Sequence, residues 1–128
     1  MDEMSWQEYV DTLTSNALIK KAAIVGHDGS LWATSADLRL TGDEVSGAVR
    51  ALSNTTLAHD GLQLEGEKYV LLRGDEQELY LRTGKGGAVL AKTGQCVLMG
   101  FFEGERHLMP NAFKVVEDLA DYLRSVGY

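Results

Sequence analysis

Residues 5–13 read Ser-Trp-Gln-Glu-Tyr-Val-Asp-Thr-Leu, and this stretch predicts the helix around which the chain is organised. Ser5 followed by Glu8 forms a capping box, in which both side chains satisfy free amides at the start of a helix. The apolar residues that follow fall on one face of this helix, at the spacing i, i+3, i+4 and i+7: Trp6, Tyr9, Val10 and Leu13. Because Trp6 and Tyr9 are large amphipathic aromatics, this face either docks onto a core or meets a partner, and docking is the commoner use of an apolar helix face.

A β-hairpin is predicted after this helix. Residues 22–26 have the composition of a short buried strand, and residues 27–29 supply a turn in which glycine can adopt a positive φ. Residues 30–35 form the returning strand. Because side chains alternate along a strand, this register predicts Leu31 and Ala33 on one face and Trp32 and Thr34 on the other.

A second capping box, Thr41 with Glu44, opens a predicted amphipathic helix over residues 41–53. The pattern then changes to short apolar runs separated by turns. Strands this close together, without helices between them, must pair antiparallel as a meander. The predicted strands are residues 62–64, 69–73, 78–83, 88–93 and 95–102.

The end of the chain predicts a sheet that is covered on both faces. In residues 96–102 both alternating sets of side chains are apolar, which is typical of a strand buried on two sides. Pro110 then opens a last helix that carries a broad apolar face. The predicted fold is therefore α+β, with a central antiparallel sheet and helices on both faces.

At 128 residues, without a linker, the chain is predicted to form one domain over residues 1–128. The net charge of −7 argues against general nucleic-acid binding, which needs a surplus of cations. Residues 80–102, however, contain Arg82, Lys85 and Lys92 and no acidic side chain. This local charge predicts either a patch for one anionic partner or ordinary solubilising cations.

The composition also indicates the cytosol. The single cysteine, Cys96, fits a reducing compartment. No apolar run approaches the ~20 residues that span a bilayer. The first four residues are partly acidic and precede no continuous apolar stretch, so we expect no signal peptide.

No arrangement of residues in the sequence predicts an enzyme, a metal site or a cofactor site. His27, His59 and His107 are isolated, and the glycines of residues 84–87 lack the spacing and the following hydroxyl of a P-loop. Cys96 lies in an apolar strand, where a thiol is inert packing.

The aromatic residues of the two terminal helices predict a binding groove if the helices lie side by side. Rings with indole and phenol donors suit a polyproline II ligand, whose prolines fit between rings and whose carbonyls accept hydrogen bonds. Ordinary packing is the alternative and the more frequent use of such residues. The residues that could converge are Trp6, Tyr9, Trp32, Tyr122 and Tyr128.

Several segments, in order along nearly the whole chain, resemble the profilin family. They are Ser5-Trp6-Gln7 with Tyr9-Val10-Asp11, Ala22-Ala23-Ile24-Val25-Gly26, Trp32-Ala33-Thr34-Ser35, the stretch from Gly86-Gly87 to Lys92-Thr93-Gly94-Gln95, and Val116-Glu117-Asp118-Leu119-Ala120-Asp121-Tyr122-Leu123. The resemblance implies a central antiparallel sheet with the terminal helices together on one face. It also implies a cytosolic protein of the actin cytoskeleton that binds monomeric actin, proline-rich segments of actin regulators and phosphoinositide headgroups.

The resemblance also assigns residues to two surfaces. For the proline-rich ligand it implies Trp6, Tyr9, Trp32, Tyr122, Leu123 and Tyr128. For actin it implies Lys68, Arg73, Arg82, Lys92, Thr93, Lys114 and Asp118. The basic residues among these would complement the acidic surface of actin. The loop over residues 104–110, which leads into the actin-facing helix, contains less glycine than the family pattern.

A second hypothesis is a roadblock-like scaffold, which also combines helices with a meandering sheet and works as a dimer beneath small GTPases. The two hypotheses differ in oligomeric state, because the scaffold is a stable dimer and a profilin is a monomer.

Overall fold

The computed structural model describes residues 5–15, 18–75, 77–104 and 109–128. Residues 1–3, His107 and most of the loop over residues 104–110 lie outside these ranges. The helices are α1 (Trp6–Thr14), α2 (Gly42–Ser53) and α3 (Met109–Ser125), with a 3-10 helix at Thr55–Ala58. The strands are β1 (Lys21–Gly26), β2 (Leu31–Thr34), β3 (Leu62–Leu64), β4 (Glu67–Gly74), β5 (Glu78–Thr83), β6 (Gly86–Lys92) and β7 (Cys96–Glu103).

Both predicted capping boxes are present. At the start of α1, the Glu8 amide donates to Ser5 Oγ at 3.1 Å, and the Ser5 amide donates to Glu8 Oε1 at 3.1 Å. Thr41 and Glu44 make the same reciprocal pair at the start of α2, with distances of 3.1 and 2.9 Å. These bonds satisfy amides that have no partner within the helix, which is why both helices begin where the sequence predicts.

The strands form one antiparallel sheet in the order β2-β1-β7-β6-β5-β4-β3. Strands β3 to β7 follow one another as the predicted meander. The N-terminal hairpin then adds β1 beside β7, with Lys21 opposite Phe101 and Gly26 opposite Cys96. This pairing brings the start of the chain next to its last strand.

Helices cover the sheet on both faces. Helix α2 and the 3-10 helix lie over one cluster of buried side chains, here called the α2 cluster. Helices α1 and α3 lie over the other, here called the terminal-helix cluster. On that face α1 contacts β1 and β2, and α3 contacts β6 and β7. The α+β prediction, with the terminal helices together on one face, is confirmed. None of the helices within the described ranges has the length and hydropathy to span a membrane.

The predicted register of β2 is wrong. Ile24 pairs with Ala33, but the next residue, Val25, pairs with Leu31, so Trp32 is the extra residue of a β-bulge. A bulge interrupts the alternation of side chains. As a result Trp32 and Ala33 both pack on the terminal-helix cluster, whereas Leu31 is opposite Val25 of the α2 cluster.

Candidate functional site

Aromatic rings from both ends of the chain converge on Trp6. Its ring centroid lies 5.7 Å from that of Tyr9, 4.8 Å from that of Trp32 and 5.0 Å from that of Tyr128. Tyr9 extends the row to Tyr122 of α3, at 6.2 Å. We call this set of five rings the aromatic groove. It forms because α1 lies beside α3 on the sheet and the bulge in β2 turns Trp32 towards them.

The residues of the groove differ in exposure. Tyr122 is 49% exposed, Trp6, Trp32 and Tyr128 are half-buried, and Tyr9 is 6% exposed. Leu123 was also assigned to this surface, but it is 0% exposed beneath α3. It therefore supports the rings from below and cannot touch a ligand directly.

A turn at the end of α3 brings Tyr128 back towards α1. The Tyr128 amide donates to the Leu123 carbonyl at 2.8 Å, and the Gly127 amide donates to the Arg124 carbonyl at 3.3 Å. This is a Schellman motif, and its C′ residue, Gly127, has φ of +98°. Glycine adopts that conformation without strain. The signal for this turn in the sequence is Gly127, two residues after the end of α3, and the family resemblance gave this residue no role.

The turn between β6 and β7 holds the backbone of Tyr128. The Thr93 hydroxyl donates to the Tyr128 oxygen at 2.9 Å, and the Gln95 amide donates to the same oxygen at 2.7 Å. The Thr93 hydroxyl also accepts from the Cys96 amide at 3.1 Å. The prediction that Thr93 faces actin is therefore corrected: the residue is 4% exposed, and its hydroxyl anchors the aromatic groove.

Trp32 is oriented by a short chain of hydrogen bonds. Its indole Nε1 donates to Ser30 Oγ at 3.1 Å, and that hydroxyl donates to Asp28 Oδ1 at 2.6 Å. The bond from Ser30 lowers the pKa of the Asp28 carboxyl below its ordinary value. Gly26 leaves room for this chain, because a Cβ there would lie 2.9 Å from the indole nitrogen. Among the described residues, the indole N–H of Trp6 has no hydrogen-bond partner, so it is the free indole donor of the groove.

A second surface lies beside α3, on β4 and on the end of β5 at Arg82. Lys68, Val70, Leu72 and Arg82 line a shallow cleft of about 360 Å³. Val70 is 55% exposed and Leu72 37% exposed, which is unusual for large aliphatic residues on a sheet. We call this the β4–β5 surface. Sequence reasoning assigned its cations and missed Val70 and Leu72.

The β4–β5 surface continues onto α3 through stacked side chains. The Arg73 guanidinium lies 5.1 Å from the ring centroid of Tyr80, and Tyr80 stacks on Phe113 at 4.9 Å. On the outer side of α3, Lys114 and Asp118 form an exposed ion pair at 3.3 Å. The structure thus brings five of the residues assigned to actin to one side of the molecule: Lys68, Arg73, Arg82, Lys114 and Asp118.

Lys92 does not lie with these residues. It is two positions after Leu90 and pairs with Val97, and both of these side chains belong to the α2 cluster. Strand alternation therefore directs Lys92 to the face of α2. Arg82 pairs with the exposed Val70 on the opposite face. The prediction of one basic patch holding both Arg82 and Lys92 is wrong.

A carboxyl pair joins β5 to α3 beside this surface. Arg124 Nη1 donates to Glu117 Oε1 at 2.8 Å, while the buried Glu117 Oε2 has no donor among the described residues unless Glu78 carries a proton. The hydrogen bond with Glu117 raises the pKa of Glu78 to about 7. Burial alone would raise the pKa of Glu117, but bonds from Glu78 and Arg124 outweigh it and lower that pKa. Below about pH 7, therefore, Glu78 holds the proton of this pair and Glu117 is the charged carboxylate.

His27 and Cys96 have structural roles. His27 Nε2 lies 2.9 Å from the Thr93 carbonyl oxygen and 3.2 Å from the Cys96 carbonyl oxygen. Because both partners are acceptors, its N–H donates, and the bond joins the turn after β1 to the turn between β6 and β7. Burial raises the pKa of the Cys96 thiol, which keeps it protonated. Residues 5–15, 18–75, 77–104 and 109–128 contain no group of side chains suited to hold a metal ion.

Comparison with known proteins gives a consistent result. A family model described as Profilin matches residues 4–128. Profilin-A of Physarum polycephalum is 42% identical over 127 residues, which cover 98% of this chain and 100% of that protein. The structure of Acanthamoeba castellanii profilin IB has a TM-score of 0.90 at 36% identity, covering 97% of this chain and 100% of that chain. Mouse profilin IIa, solved in complex with a double repeat from the FH1 domain of mDia1, shares the fold with a TM-score of 0.76 at 23% identity, covering 98% and 100%.

Proposed function

The chain belongs to the profilin family, and we propose that it binds monomeric actin and proline-rich segments of actin regulators such as formins. In this way it regulates actin polymerisation in the cytoplasm. It acts by binding, without chemical turnover, and residues 1–128 work as one domain. Nucleic acid is not among its partners, because the net charge is −7.

The observation that carries this proposal is the aromatic groove. A polyproline II helix has three residues per turn, so its rings repeat along one side and can fit between spaced aromatic rings. Trp6 has such neighbours at 4.8 and 5.0 Å and a free indole N–H. The carbonyl oxygens of a polyproline II helix are strong acceptors, and no hydrogen bond within that helix occupies them. The indole N–H of Trp6 can therefore hold the ligand by donating to one of these carbonyls.

The β4–β5 surface is the proposed contact with actin. It combines exposed aliphatic side chains at Val70 and Leu72 with the cations Lys68 and Arg82. Aliphatic residues supply affinity when they are buried in a complex, and the cations orient the encounter with an acidic partner. The aromatic groove and this surface lie on different parts of the molecule, so both ligands can be bound together.

We extend the proposal to phosphoinositide headgroups, for which the same cations would be the contact. Each cation near an anionic membrane contributes about 1 kcal/mol. Vesicles with and without phosphatidylinositol bisphosphate test this in a sedimentation assay. The headgroup and actin should compete, because both need Arg82.

The direct test of the groove is a titration with a proline decamer, followed by intrinsic tryptophan fluorescence. Trp6 and Trp32 are the only tryptophans of the chain, and both belong to the groove. We expect a saturable spectral change with the decamer and none with a glycine-serine peptide of equal length. A flat titration would contradict the groove.

The roadblock-like scaffold is not favoured, since the family match covers residues 4–128. Sizing at micromolar concentration separates the two functions: we expect a monomer, whereas the scaffold requires a stable dimer.

A further inference from the structure

A separate cleft of about 430 Å³ opens at the end of the sheet where β1 begins and β7 ends. The aromatic groove lies towards the other end of these strands, beside Gly26 and Cys96. A volume in this range suits a small molecule. Its lining includes Lys21, Glu65, Glu67, Tyr69, Phe101 and Glu103. We call it the Tyr69 cleft.

The hydroxyl of Tyr69 is the unusual group in this cleft. The residue is only 6% exposed, and its ring packs edge-on against Phe101 with centroids 6.1 Å apart. Its hydroxyl has no hydrogen-bond partner among the described residues, but unlike Glu117 Oε2 it is not closed off from solvent. Because the residue is largely buried while its hydroxyl reaches solvent, the hydroxyl faces the cleft that Tyr69 lines, and a partner for it can bind there.

The surroundings of the hydroxyl are anionic. Burial, followed by the charges of Glu67, Glu65 and Glu103, raises the pKa of Tyr69 to about 12. The hydroxyl therefore stays neutral, and its oxygen lone pairs remain available to accept hydrogen bonds. A group that enters here meets an acceptor surrounded by carboxylates.

The lysines that line the cleft do not cancel the negative charge around the Tyr69 hydroxyl. Lys21 is already paired with Glu65 at 3.1 Å, and Glu67 accepts a bond from Thr83 at 2.7 Å. Lys20 and Lys85 also line the cleft, but both are exposed and neither contributes to the pKa of Tyr69. Glu103 is exposed and has no ion pair within the described part of the chain.

We propose that the Tyr69 cleft binds a primary ammonium group, carried by a small free amine or by a lysine side chain. The ammonium has three donors, and the cleft lines up acceptors for them in the Tyr69 hydroxyl oxygen and the carboxylates of Glu67 and Glu103. The rings of Tyr69 and Phe101 add a further attraction for a cation. This binding is independent of the proposed contacts with actin and proline-rich segments.

The test is calorimetric titration of the full chain with putrescine, with Nα-acetyl-lysine amide and with butyrate as an anion of similar size. We expect both amines to bind and butyrate not to bind. Tyr69→Phe removes one acceptor and Glu103→Gln one charge, so each should weaken amine binding about three- to tenfold. Tighter binding of the lysine derivative assigns the site to a protein side chain, and tighter binding of putrescine assigns it to free amines.

Asp60→Asn is the matched control, since Asp60 is an exposed carboxylate that does not line the cleft. It should leave amine binding unchanged. Retention on polyproline resin, together with circular dichroism, establishes that each variant is folded. Three results would each overturn the proposal: no binding of either amine, butyrate binding as tightly as the amines, or equal losses in Asp60→Asn and Glu103→Gln.

Discussion

The indole ring of Trp6 lies 5.0 Å from the phenol ring of Tyr128, with the two planes at 77°. The residues are at opposite ends of the described chain, and each depends on a different anchor. Trp6 is held by the capped start of α1, and Tyr128 is held by the Schellman turn and the hydroxyl of Thr93. The groove is therefore complete only when both ends of the chain are folded onto the sheet.

Trp6→Ala should abolish retention on polyproline resin and weaken binding of a proline decamer at least tenfold. The variant removes both the central ring and the free indole donor, and residues of this kind dominate binding energies. The effect on actin polymerisation should be unchanged, because the β4–β5 surface is intact. Trp6→Phe, which retains a ring without the N–H, should be intermediate. Equal retention of Trp6→Ala and wild type would remove Trp6 from the groove.

Thr93→Val should destabilise the fold by about 1–3 kcal/mol, because it leaves the Cys96 amide and the Tyr128 oxygen without their hydroxyl partner. Urea unfolding measures this loss. Decamer binding should also weaken a few fold, since Tyr128 loses an anchor. Thr12→Val is the control: within the described ranges its exposed hydroxyl bonds the Glu8 carbonyl alone, and little change is expected. If the two variants behave alike, Thr93 has no anchoring role.

Arg82→Glu should weaken the effect of the protein on actin polymerisation, whereas Lys92→Glu should not. Both changes reverse one charge, but only Arg82 lies on the β4–β5 surface. Rim charges chiefly alter the association rate and its salt dependence. The loss should therefore shrink as the ionic strength rises. A pyrene-actin lag that responds equally to both variants would place the actin contact elsewhere.

Val70→Ser should weaken actin binding by about 1 kcal/mol, because the variant removes aliphatic surface that the complex would bury. Leu57→Ser is a closely matched control. Leu57 is 53% exposed and Val70 55% exposed, but Leu57 belongs to the 3-10 helix on the other face of the sheet. Sedimentation with actin compares the two. A larger loss for Leu57→Ser would assign actin to the α2 face.

Glu78→Gln should flatten the pH dependence of stability. The bond with Glu117 raises the pKa of Glu78 from 4.5 to about 7, so the folded protein binds this proton more tightly than the unfolded chain. The resulting stabilisation is complete below about pH 4.5 and is lost as the pH rises through about 7. Wild type should therefore lose thermal stability between pH 5 and 8 relative to Glu78→Gln, whose amide remains a neutral donor. The histidines are common to both proteins and cancel in the difference. Parallel profiles would show that the carboxyls do not share a proton.

Local signals in the sequence were sufficient for most of the fold. The capping boxes at Ser5 and Thr41 mark the starts of two helices because their bonds lie within four residues. The two-sided apolar pattern of residues 96–102 predicts a strand covered on both faces, since burial follows directly from side-chain chemistry. The same patterns identified the aromatic residues of the groove, and the resemblance to profilins assigned them a ligand.

Other features depended on contacts between distant segments, and the sequence alone led to errors there. A bulge decides the direction of Trp32, and strand pairing decides that Lys92 and Arg82 lie on opposite faces. Thr93 lies at the end of an apolar strand, and only the return of Tyr128 shows what its hydroxyl does. Likewise, the exposure of Val70 and the unpaired hydroxyl of Tyr69 depend on where α3 and the strand ends lie. Composition and spacing thus determined the helices and strands, and they identified aromatic and basic side chains as the binding groups. Which of these side chains share a surface was decided only by the tertiary structure, because residues that are neighbours across a sheet are far apart in the chain.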